Sequence, residues 1–293
     1  MVALRGAAKR EWKNASRLTD SWRRGRHDSR RTNHSDPGLQ TLPLSSCCDI
    51  AIQNRADNAL NDHRTTPERR GPILLCLGLI LVYPLFSVPV QASIRYLAPE
   101  MGDIGARVAT EAAIWLYAVI VLAIALFGER RTLASIGLGK FTVASLGFGL
   151  GGALLIAGAG ALVAYVVYGL LHQPEHADAQ AAALVGGSVV YAVCLAVRAG
   201  VIEEIFFRGL AIEQLTTLTG HRWLSAFIAT AVFVLIHALH FDWIQLVPIA
   251  AVSIVLAGLY LWRHDLWANI LAHIAVDAAG LVTLALQTHK LSH

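Results

Sequence analysis

Beyond residue 71 the chain is a succession of apolar stretches of membrane-crossing length, and this limits its folds more than any other feature. A spanning helix needs about 20 mainly apolar residues. About seven stretches meet or approach that length: 72–97, 109–127, 143–171, 183–210, 223–240, 244–261 and 266–287. With 55% hydrophobic and 15% charged residues, the chain is too apolar for an ordinary soluble domain. The expected fold is all-α, a polytopic transmembrane helical bundle of about seven spans, because helices satisfy their own backbone polar groups in lipid. Pro84 and Pro89 should kink the first span. The run GFGLGGALLIAGAGA in the third allows helix backbones to approach closely.

Charge divides the chain in two. Residues 1–71 hold 14 Lys/Arg against 8 Asp/Glu, while residues 72–293 hold 10 against 12. The first part, with runs such as RRGRHDSRRTNHSD, reads as a basic, mostly disordered amino-terminal tail, and residues 72–293 as the membrane domain. A basic tail at an anionic leaflet gains about 1 kcal/mol per residue. No apolar signal-peptide core follows Met1. Cys47, Cys48, Cys76 and Cys194 form no CxxC pair, so neither a disulfide framework nor a zinc–thiolate site is indicated. The lipid bilayer is the expected partner, and no nucleic acid is. Loops bearing Arg69 and Arg70, then Arg130, Arg131 and Lys140, then Arg222, then Arg263 alternate with loops that are acidic or bare. By the positive-inside rule the amino terminus is cytoplasmic and the carboxyl terminus outside. Short loops and abundant Ala, Gly, Leu and Val suggest a bacterial inner membrane.

Ionisable residues inside such segments are costly and mark functional sites by default. Glu203, Glu204 and Arg208 interrupt the fourth stretch, His237 lies deep in the fifth, and Asn269, His273 and Asp277 line one stripe of the seventh. Glu204 and Arg208 are four apart and can pair on one helix face, which makes them structural support. Glu203 is turned about 100° away and needs a partner on another helix, water, or a proton. His273 and Asp277 share a face, as do Asn269 and His273. A carboxylate beside two imidazoles can activate water as a general base, with a His or Asn donating to the oxyanion. Glu203, His237 and His273 could instead hold a divalent metal such as zinc. Both routes lead to hydrolysis. No GxSxG serine motif or HExxH zinc signature is present.

The three groups also resemble a known family. EEIFFR fits EExxxR at Glu203, Glu204 and Arg208, FVLIH fits FxxxH at Phe233 and His237, and HIAVD fits HxxxN/D at His273 and Asp277. These motifs are similar to those of the CPBP intramembrane metalloproteases, also called the CAAX protease and bacteriocin-processing (Abi) family, which includes the type II CAAX prenyl endopeptidases. The resemblance covers roughly residues 130–285, beginning at the ERRTLASIGL loop. It implies a helical bundle with a site open toward the cytosol and a membrane-anchored peptide or protein as substrate. It also implies Glu203 as the water-activating carboxylate, with His237 and His273 orienting water and stabilising the oxyanion. Asp277 stands where the prenyl proteases usually have Asn. An ionised Asp cannot donate to an oxyanion, so Asp277 would carry a proton, orient His273 or bind a metal. Two other readings stay open: a non-catalytic scaffold or immunity-type membrane protein, and a proton- or cation-coupled transporter.

Overall fold

A computed structural model describes residues 67–170, 185, 188–239 and 241–291. The expected tail therefore lies outside the described residues apart from its last few positions, where the first helix begins. The acidic loop with Glu175 and Asp178 lies outside them too. Among the described residues the chain is helical and contains no strand.

The helices follow the apolar stretches in order. They are α1 Pro67–Leu97, α2 Gly102–Ala123, α3 Val143–Ala164, α4 Val189–Glu203, α5 Ile212–Thr219, α6 Arg222–His237, α7 Trp243–Arg263 and α8 Leu266–Leu291. Three continue into π-wound turns: α2 into Ile124–Gly128, α3 into Tyr165–Leu170 and α4 into Glu204–Ala211. Local chemistry sets several boundaries. Thr142 and Ser145 form a capping box at the start of α3, and Asp242 and Gln245 form one at the start of α7. Gly220, at φ 74°, ends α5 in a left-handed cap.

The expected count of about seven crossings is not confirmed. Among the described residues, four helical regions are long and apolar enough to cross a membrane unaided: Pro99–Gly128, Val143–Val167, Trp243–Arg263 and Leu266–Thr288. A fifth is the bent pair Arg70–Phe86 and Pro89–Leu97, whose arms meet at 57°. Proline explains the bend, since Pro89 has no N–H to give to the turn before it. The α4 region falls short because its apolar run carries Arg198, Glu203, Glu204 and Arg208. Helix α6 has 16 residues, about 24 Å of rise against a hydrocarbon core of about 30 Å.

Helix α8 packs along α4 and α3, α7 packs along α3, and α1 pairs with α2. Lipid competes with protein for apolar contact, so close fit rather than water exclusion holds such helices together. Gly200 of α4 shows how close the fit is. A Cβ placed there would lie 2.5 Å from Ile274 Cγ1 and 2.9 Å from its backbone nitrogen on α8. Gly149 and Gly152 of α3 play the same part against α8, where added Cβ atoms would meet Leu271 at 2.8 Å and Ala272 at 3.2 Å. The largest apolar core surrounds the π-wound turn: Phe206, Phe207 and Leu210 pack against Ile80, Tyr83, Ile114, Val121 and Phe233.

The loop before α3 is pinned as well. Buried Glu129 pairs with Arg131 at 2.7 Å and accepts from Gln214 of α5 at 2.5 Å. The carbonyl of Gly137, at φ 84°, accepts the first N–H of α8 from Leu266 at 2.9 Å. The ERRTLASIGL segment thus fixes where α8 starts.

Candidate active site

Glu203 closes the α-helical part of the EEIFFR segment, and the π-wound turn that begins at Glu204 carries Phe206, Phe207 and Arg208 into the core. Single π turns inside α-helices recur at functional sites. Glu204 is 0% exposed and Arg208 2%. Arg208 Nη1 donates to Glu204 Oε1 at 2.7 Å, and Nη2 donates to Ser253 Oγ of α7 at 2.9 Å. The guanidinium also lies over the Phe233 ring, 4.7 Å from its centroid. The Phe of the FxxxH motif is therefore a seat for the Arg of the first motif, and it packs edge-on against Phe207.

Two residues of α8 complete this node. His273 Nδ1 lies 2.8 Å from Glu204 Oε1, and Asn269 Nδ2 donates to Glu204 Oε2 at 3.1 Å and to the Leu256 carbonyl at 2.8 Å. A carboxylate and a carbonyl only accept, so this fixes which way the Asn269 amide points; its Oδ1 has no partner. His273 Nε2 faces Asp277 Oδ2 at 3.4 Å. Buried His273 thus stands between two carboxylates, with Asp277 on the open side at 32% exposure.

Glu203 points elsewhere. It is partly buried and lies within electrostatic reach of Tyr83 on α1 and Arg198 on α4. No hydrogen bond or ion pair among the described residues joins it to His237 or His273. His237 is partly exposed, between the rings of Phe233 and Phe241, and its Nδ1 lies 2.7 Å from the Phe233 carbonyl. That carbonyl can only accept, so Nδ1 carries the proton and the Nε2 lone pair of the neutral ring is left to accept.

The structure therefore brings Glu204, Arg208, His273 and Asp277 into one connected set, and it holds Glu203 and His237 outside that set. Among the described residues no group of three His, Cys, Asp or Glu side chains is arranged to hold a metal ion. Both ring nitrogens of His273 face carboxylates, so Glu203, His237 and His273 do not form a ligand set here.

Sequence reading passed over several residues of this region. Asn269 shares a stripe with His273, but its bond to Glu204 was not foreseen. Glu111 of α2 and Arg198 of α4, joined at 3.1 Å, lie within apolar stretches and were legible as intramembrane charges. Tyr83 left no signal, since a tyrosine in an apolar helix is ordinary.

Residues 185–279 match the family model described as type II CAAX prenyl endopeptidase Rce1-like. This segment is Rce1-like. It lies within the roughly 130–285 marked by the motifs and holds all three of them, so the resemblance to the CAAX protease family is shown on its motif-bearing segment. Protease activity at a membrane, on a membrane-associated peptide or protein, is the function this family supports. No curated protein and no solved structure matches the chain.

Proposed function

We propose that the protein is an intramembrane endopeptidase that cuts a peptide bond of a membrane-anchored substrate, with Glu203 as general base. The observation that carries this reading is the division of labour between adjacent glutamates inside the Rce1-like segment. The Glu204 carboxylate already accepts from Arg208, Asn269 and His273. Among the described residues neither the Glu203 carboxylate nor Nε2 of His237 makes a hydrogen bond, whereas His237 Nδ1 is held by the Phe233 carbonyl.

In the proposed reaction a water molecule accepts orientation from His237 Nε2 and gives a proton to Glu203 as its oxygen attacks the scissile carbonyl carbon. His273 keeps its Nδ1–H on Glu204 and, in its charged form, turns its Nε2–H from Asp277 toward the oxyanion, an interaction that strengthens as charge develops. Collapse breaks the C–N bond, and Glu203 returns its proton to the leaving amine nitrogen. The products are a carboxylate and an amine. Asp277 orients His273. General-base help of this kind contributes about 10²–10⁴-fold. The bilayer is a bacterial inner membrane in this reading, with the amino terminus in the cytoplasm and the Glu203 side reached from there.

A survey of peptide termini in membranes tests this. It compares a deletion strain with strains carrying wild type or Glu203→Gln at matched abundance. Termini that appear only with wild type are the expected result and name the substrate. Identical termini for wild type and Glu203→Gln, with both rescuing the deletion, would sink the protease reading. They would favour a scaffold, the reading to which the absence of a hydrogen bond between Glu203 and either histidine among the described residues otherwise lends weight.

A further inference from the structure

Asn269 of α8 belongs to none of the three motifs, yet it reaches the centre of the site. It is 0% exposed and lies about one helical turn before His273. Its Nδ2 donates to Glu204 Oε2 at 3.1 Å, on the turn that continues α4, and to the Leu256 carbonyl of α7 at 2.8 Å. A single amide thus joins three helices. Its Oδ1 is buried and makes no hydrogen bond.

The grip on Glu204 is divided between its two oxygens. Oε1 accepts from Arg208 Nη1 at 2.7 Å and faces His273 Nδ1 at 2.8 Å. Among the described residues Oε2 accepts from Asn269 alone. The last torsion of a glutamate side chain is soft, so a carboxylate held at one oxygen can turn and one held at both cannot. Asn269 therefore fixes the plane of the carboxylate on which the imidazole hangs. Because α8 supplies both the amide and the imidazole, the carboxylate is set relative to His273 by the helix that carries His273.

As a clamp for the fold Asn269 is poorly made. Both Nδ2 hydrogens are on acceptors, which leaves Oδ1 orphaned. A buried orphan acceptor costs about as much as a neutral hydrogen bond returns. The amide adds little stability, and what it does fix is an orientation.

We propose that Asn269 is a positioning residue for the hydrolytic step: by holding Glu204 Oε2 it locks the carboxylate that aims His273 at the oxyanion. This rests on the reading of His273 as the oxyanion donor. Asn269 touches neither substrate nor water in the reaction and acts through Glu204 and His273. Aim matters because a displacement of about 1 Å at a reacting group can cost about 10²-fold.

The test uses the full chain in liposomes and a quenched-fluorescent peptide spanning a cut site found in the survey of termini. Asn269→Ala should lower kcat per folded molecule roughly tenfold or more with KM within about twofold, a part of the 10²–10³ that outright loss of an oxyanion donor costs. Asn269→Ser should do the same. Its hydroxyl is too short to reach Glu204 and can bond back to the Asp265 carbonyl, which keeps the helix satisfied. Glu213→Gln, a destabilised variant away from the site, should hold kcat per folded molecule within about twofold. Adding Asn269→Ser to His273→Gln should cost no further activity, since residues acting as one unit are non-additive. Unaltered kcat in Asn269→Ser, with only a lower unfolding temperature, would make Asn269 a clamp and overturn the proposal. Multiplying losses in the double variant would overturn it as well, because the effect would not pass through His273. Undiminished cleavage by His273→Gln or Glu203→Gln would instead sink the roles assigned to those residues, and the proposal with them.

Discussion

The carboxylate of Glu204 accepts from Arg208, Asn269 and His273, whereas that of Glu203, one residue earlier, makes no hydrogen bond or ion pair among the described residues. Both sit on the same helix end, and about 100° of rotation sends one toward α8 and the other toward α1. The difference separates two uses of buried charge. A fully buried carboxylate that already accepts three bonds ties helices together and is closed to a water. One with free lone pairs adds little to the fold and keeps its capacity to take a proton.

The sharpest way to break this contrast is to strip the node. Arg208→Ala strands a buried carboxylate and Glu204→Ala a buried guanidinium, each at a cost of about 3–5 kcal/mol. Both variants should lose abundance and unfold at lower temperature in detergent, whereas Glu203→Gln should stay near wild type in both measures. Wild-type stability in Arg208→Ala would show that the node does not hold the fold. Next in size is Gly200→Ala. Its new methyl would meet Ile274 at 2.5 Å and push α8 from α4, at about 1–3 kcal/mol for overpacking. Because α8 carries His273 and α4 carries Glu203, cleavage should fall further than Arg208-type instability alone explains. Comparing kcat per folded molecule with unfolding temperature checks this.

The smallest expected effect lies outside the membrane-crossing segments, at Glu213 of α5. Burial pushes its carboxyl up, but His264 at 3.2 Å, the Tyr260 hydroxyl at 3.0 Å and the Arg222 charge outweigh burial and hold it below the usual 4.5. A depressed carboxyl adds stability above its unfolded value, about 4.3, and loses it as pH falls through the folded value. Glu213→Gln should therefore unfold at a lower temperature than wild type at pH 7, by a cost of about 1 kcal/mol. The gap should narrow below about pH 4.3. A gap independent of pH would mean that the charge of Glu213 contributes nothing.

What could be read from the sequence follows its range of interaction. Apolar runs set where the helices lie, and helix pitch alone pairs Glu204 with Arg208 and His273 with Asp277, both four residues apart. The motif order placed the Rce1-like segment. The number of crossings was less legible, because hydropathy does not distinguish a spanning helix from one that is short or interrupted by charge.

Only the tertiary structure decided the rest: His273 and Asn269 on Glu204, Phe233 beneath Arg208, and Arg198 between Glu111 and Tyr83. Those partners lie between 25 and 115 residues apart, and each contact depends on how far two helices are rotated about their own axes and how closely they approach. Periodicity along one helix fixes neither quantity. Gly200 against Ile274 shows this for α4 and α8, because the missing side chain lets the two helices approach closely at that point.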